Sequence, residues 1–130
     1  MRKFSFELRK WLPSLLMMGL IFWFSAQPSY NLPDFNWADR IVKKGGHILG
    51  YGLLAWGNWS ALEGKPNRHW LAWLLAILYA VTDEFHQSFV VGRFPSVWDV
   101  VVFDNLGAVI SIWLLRQINK NAMPKSAQII

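Results

Sequence analysis

Hydrophobic positions along this chain fall into four runs separated by short polar stretches. The first, "WLPSLLMMGLIFWFSA", covers about residues 11–26. The second covers about 41–62 and starts with a polar turn. The third, about 70–91, contains the charge-free segment "WLAWLLAILYAV", and the fourth covers about 97–117. A bilayer-crossing helix needs roughly 20 mostly apolar residues, with about 17 as a lower limit. The pattern therefore predicts an all-α polytopic membrane protein: one domain over residues 1–130, built as a bundle of four transmembrane helices. The first run also has the marks of a signal peptide, with a basic start, an apolar middle and small residues at Ser25 and Ala26. Three later runs keep the chain in the membrane in either case.

Composition strengthens this picture. Hydrophobic residues make up 54% of the 130 positions, and nine residues are Trp. A soluble domain of this size buries too small a share of its surface to hide them. The charged share, 16%, is well below the usual quarter. The absence of cysteine excludes disulfides and thiolate metal sites. A net charge of +5 in a soluble protein would suggest nucleic acid. Here the cations flank the apolar runs, where they set orientation, and no nucleic-acid partner is expected. Arg2, Lys3, Arg9, Lys10, Lys65, Arg68, Arg116, Lys120 and Lys125 fall on one side, against Arg40, Lys43, Lys44 and Arg93 on the other. Both termini are expected in the cytoplasm, with residues 27–40 and 92–96 facing outward.

Depth then gathers the polar residues of the apolar runs. Lys43 and Lys44 sit at the outer mouth of the second span, with His47 and Tyr51 one and two turns deeper. Lys43, His47 and Tyr51 repeat at i, i+4 and form one stripe. Asp83 and Glu84 lie roughly 10 Å below the outer end of the third span, with His86 and Gln87 above them and Arg93 in the loop. Asp99 stands at the mouth of the fourth span, and Asp104 and Asn105 lie about 10 Å in. A charge at such depth is costly unless it is paired or wetted. These groups are expected to face one another around a small polar pocket open to the outside. Gly46 with Gly50, and Gly107 with Ser111, have the small-x-x-x-small spacing of close-packing helix faces. His69 falls in the cytoplasmic loop and reads as solvated.

The residue types fit three kinds of chemistry. Carboxylates with imidazoles could hold a divalent metal, with Asp83, Glu84 and His86 as first candidates and His47 and Asp104 beside them. His47 with Asp83 or Glu84 could do general acid–base work. Lys43, Lys44 and Arg93 suit a phosphate or carboxylate ligand, such as a phospholipid head group or a lipid-linked cell-wall precursor. The chain has no H-E-x-x-H, Walker or Rossmann pattern and no serine or cysteine nucleophile signature. Four spans without an inverted repeat are few for a carrier. Three readings stay open: a binder of envelope lipid or precursor, a membrane-embedded hydrolase or transferase, and a structural subunit whose polar core fixes helix packing. Nothing in the sequence sets the oligomeric state.

Four stretches, "FSAQP", "KKGGHILGYGLLA", "YAVTDEFHQSFVVGR" and "PSVWDVVVFDNLGA", resemble in order and spacing the VanZ-like family of small bacterial membrane proteins. The resemblance covers about residues 11–117. The family's Lys, His and Tyr fall on Lys44 (with Lys43 its neighbour), His47 and Tyr51. Its acidic pair and amide fall on Asp83, Glu84 and Gln87, and its Arg and following Asp on Arg93 and Asp99. Its later acidic or amide position falls on Asp104 or Asn105, ahead of Gly107. The resemblance implies four helices in a bacterial plasma membrane and a link to teicoplanin tolerance. It supplies no reaction.

Overall fold

A computed structural model describes residues 2–122, and the side chains of 8–121. Lys125, counted above on the cytoplasmic side, lies outside the described residues, as do the side chains of Arg2 and Lys3. Four α-helices and no strand occur among the described residues: α1 (Arg2–Ser25), α2 (Asp39–Ala61), α3 (His69–Gln87) and α4 (Asn105–Ala122). One stretch, Asp99–Asn121, is long and apolar enough by itself to cross a membrane. Polar positions dilute the other helices: a basic start on α1, Asp39 to His47 on α2, and the acidic pair on α3.

The third helix is shorter than its apolar run predicts. It ends at Gln87, and residues 88–93 form a chain of tight turns. The Ser88 hydroxyl donates back to the Phe85 carbonyl at 2.6 Å, and Val90 N–H donates to Gln87 O. Gly92 then adopts φ +73°, where a side chain would also run into the Ser29 hydroxyl. Asp83 and Glu84 therefore lie one turn from the helix end, not two.

α2 packs against all three other helices. The core between them is made of small residues and a few large ones. Ala72, Ala76 and Ala80, spaced by four, are fully buried along one ridge of α3, and Tyr51, Leu54, Ala55 and Trp59 fill the facing side of α2. Small residues let backbones approach, which is how helices associate where apolar burial gives little drive. Several ties cross the bundle. Tyr79 donates to Met18 O at 2.6 Å, and Asn58 donates to Ala72 O at 3.3 Å. Large apolar side chains also cover the outside, with Leu16, Trp23, Leu49, Phe85 and Trp113 all exposed.

The glycine spacing reads differently in three dimensions. A side chain at Gly46 would meet nothing within 4 Å, so Gly46 is not a packing contact. The close approach is Gly107 of α4, whose backbone lies in the groove between Ile48 and Gly52 of α2.

At the end opposite the acidic cluster, Lys10 of α1 and Lys65 of the α2–α3 loop both pair with Glu63, at 2.8 and 2.5 Å. The Lys10 hydrogen bond, then that of Lys65, pulls the Glu63 carboxyl down to about 2 from 4.5. The folded value lies below the unfolded one. The contribution is therefore complete above pH 4.5 and is lost as pH falls through about 2. Carbon-13 NMR of labelled glutamate in the detergent-solubilised protein should give Glu63 a midpoint well below 4.5, raised by Lys10→Gln. A midpoint unmoved by that change would mean that the Lys10 bridge is not formed.

Candidate functional site

The polar residues gather where the ends of α1, α2 and α3 meet the turn before α4. On α2 the inward stripe is Lys44, His47 and Tyr51, at i, i+3 and i+7. Lys43, expected on that stripe, pairs instead with Asp39 one turn back at 2.6 Å. Lys44 pairs with Asp99 and lies over the Phe103 ring, 4.9 Å from its centre.

The residues that lead into α4 form a π-helical turn, Asp99–Asp104. Its i→i+5 hydrogen bonds bring a residue and the one five further on nearly into line. In an α-helix, at about 100° per residue, those two would point roughly 140° apart. The wide turn thus allows both Asp99 and Asp104 to face α2. Asp104 is fully buried, and its Oδ1 lies 2.8 Å from His47 Nδ1. An ionised carboxylate only accepts, so the imidazole donates from Nδ1 and keeps Nε2 for another partner. Asn105 takes a different role, accepting from Trp73 Nε1 at 2.7 Å.

The acidic pair of α3 is split, because adjacent helical residues differ by about 100° in direction. Asp83 turns toward α1. Its Oδ2 accepts from the Ser25 hydroxyl at 2.7 Å and from Gln87 Nε2 at 3.0 Å. Glu84 turns toward the α3–α4 loop, accepts from Ser96 N–H at 2.7 Å, and meets His47 and Asp99. Ligand atoms of His47, Glu84 and Asp99 lie within 4.8 Å of one another. Asp83, His86 and Asp104, expected in a metal set, are not in this group, and Asp99 is in it instead. His86 stacks on Phe22 of α1, with ring centres 4.6 Å apart.

The single pocket expected from the sequence is therefore two networks joined by α2. Tyr51 lies between them, with its hydroxyl buried and within electrostatic reach of Asp83 and Asp104. Asp104 Oδ2 is buried with no hydrogen-bond partner among the described residues. Arg93 crowns the Asp83 side. Its Nη2 and Nε donate to the carbonyls of Phe24 and Gln27, at 2.7 and 3.2 Å. It thus caps the end of α1, where carbonyls lack helical partners and cations are favoured. Ser25 and Ser96 were not expected to matter here. The clue for Ser25 was its place in "FSAQP". Ser96 acts through its backbone, so its side chain gave none.

A cleft of about 470 Å³ opens between α1, α2 and the loop that joins them. Its walls are apolar, with Met17, Leu20, Ile21, Leu49 and Leu53. Its polar end holds Lys43, His47, Tyr51, Asp83, Gln87 and Arg93. Glu84 faces a second groove, beside Ile77, Val81, Ser96 and Val100.

A protein-family model described as VanZ/LLP1 matches residues 10–119, most of the chain. No curated protein and no solved structure matches it.

Proposed function

The chain belongs to the VanZ-like family, whose members are membrane-associated and linked to glycopeptide resistance, and from that premise we propose that it binds an anionic envelope lipid or a lipid-linked cell-wall precursor. The observation that carries this is the cleft: apolar along α1 and α2, polar at one end, and about 470 Å³ in volume. An amphiphile has that shape, with its chain along Ile21 and Leu53 and its head group at Lys43, His47 and Arg93. The protein acts as a single four-span domain of the bacterial plasma membrane with both termini in the cytoplasm. The excess of Lys and Arg on the side of the termini supports that orientation. The exposed apolar faces of all four helices support lipid contact, since exposed patches of that extent are rare on soluble monomers. Binding of this kind would alter access of a glycopeptide drug such as teicoplanin to its target without turnover.

Lys43 is the residue free to meet the ligand. It is exposed, and among the described residues it pairs with Asp39 on the same helix, a class of ion pair worth about 0.3–0.5 kcal/mol. Lys43→Gln should weaken binding of a polyprenyl phosphate to the protein in nanodiscs about tenfold, as loss of a charge-assisted hydrogen bond would. Helicity and thermal stability should not change. Equal affinity of the variant and the parent protein would sink the proposal.

A second reading is a hydrolase or transferase acting on a lipid phosphate. It is favoured by one observation: Asp104 holds His47 Nδ1 at 2.8 Å, which leaves Nε2 unprotonated as in a general base. Phosphate release from the same lipid, abolished in His47→Gln, would select it over simple binding.

A further inference from the structure

We propose that His47, Glu84 and Asp99 form a binding site for one divalent first-row transition cation, Mn²⁺ or Zn²⁺. Three separate elements bring these ligands together: α2, the end of α3 and the π turn. Their ligand atoms already lie within 4.8 Å of one another. Around a cation with bonds of roughly 2.1 Å, neighbouring ligands stand about 3.4 Å apart, so side-chain rotation closes the set. One imidazole with two carboxylates suits Mn²⁺ or Zn²⁺ better than Ca²⁺ or Mg²⁺, which favour oxygen alone.

Two further observations point the same way. The first is Asp104. It is fully buried, with one oxygen on His47 Nδ1 and the other without a partner among the described residues. A carboxylate behind a ligating histidine fixes the tautomer that leaves Nε2 for a metal, and such groups tune metal affinity. The second is charge. At this junction the carboxylates of Glu84, Asp99 and Asp104 outnumber Lys44, the ammonium that pairs with Asp99. A divalent cation removes that excess. Lys44, now on Asp99, competes with the metal for that carboxylate.

That competition gives the test a sign that a merely structural cluster would not have. Mn²⁺ is titrated into the metal-stripped full-length protein in nanodiscs and followed by electron paramagnetic resonance, with Zn²⁺ as competitor. One Mn²⁺ should bind per chain. Glu84→Gln and Asp99→Asn should each weaken it at least tenfold, and Asp104→Asn by about 10–100-fold. Lys44→Met should tighten it, and Asp83→Asn should leave it unchanged. In the parent protein, bound Mn²⁺ should broaden the imidazole resonances of His47 while those of His69 stay sharp, a readout that needs no variant to fold. The proposal is overturned by absence of saturable binding in the parent protein, by binding that survives both carboxylate changes, or by weaker binding in Lys44→Met. Polyprenyl phosphate binding measured with and without a chelator separates this result from the lipid proposal: metal binding can fail while lipid binding persists.

Discussion

Gly107→Ala should cost about 3 kcal/mol of stability, at the upper end for overpacking, because the obstacle is backbone and cannot rotate away. A methyl group there would run into the Ile48 carbonyl of α2. To make room, α4 has to move off α2, and the effect reaches the site. Asp104 lies three residues before Gly107 and therefore on the same side of the helix, and His47 lies just before Ile48. Separating Gly107 from Ile48 lengthens the Asp104–His47 hydrogen bond. Reversible loss of helicity on titration with a denaturing detergent measures the stability. Gly46→Ala is the comparison. It meets open space on an exposed helical face and should be neutral, or more stable by up to about 1 kcal/mol from helix propensity. Equal stabilities for Gly107→Ala and the parent protein would mean that this close approach does not set the distance between α2 and α4.

His47→Phe should destabilise the protein by about 3–5 kcal/mol, because it strands the buried Asp104 carboxylate. The double variant His47→Phe/Asp104→Leu should recover most of that loss. Replacing both members of a buried pair by apolar groups is often neutral or better. The two measurements together separate packing from function. If the pair serves the proposed function, the double variant is stable, but a host expressing it loses glycopeptide tolerance. Tolerance retained by the stable double variant would assign the pair to helix packing alone.

The helices were legible in the sequence to different degrees. The four apolar runs gave four helices in the expected order, since apolar period and length are local properties. The end of α3 was misplaced because "SFVV" is apolar enough to continue the helix. Its turns depend instead on hydrogen bonds to the preceding residues and on Gly92 meeting Ser29 of another loop. The G-x-x-x-G pair misled at Gly46 for a related reason, while Gly50 does face Ile21 of α1. Spacing shows that a helix has a small-residue face, but not which way the face points.

Within the candidate site, the sequence determined which residues are costly in an apolar setting and which end of the bundle they share. His47, Tyr51, Asp83, Glu84, Gln87, Arg93, Asp99 and Asp104 all meet near one end because antiparallel helices of known length leave few alternatives. Only the tertiary structure decided their partners. It sent Asp83 to Ser25 and Glu84 to Ser96, chose Lys44 over Lys43, and gave Asp104 to His47 and Asn105 to Trp73. The Asp104 choice turns on the π segment, which aligns residues that an α-helix would set far apart. Sequence fixes identity and order along a helix to within a turn. Partner choice depends on rotations of 50° to 100° or so about the helix axis, and these are set by which backbones can touch, here Gly107 against Ile48.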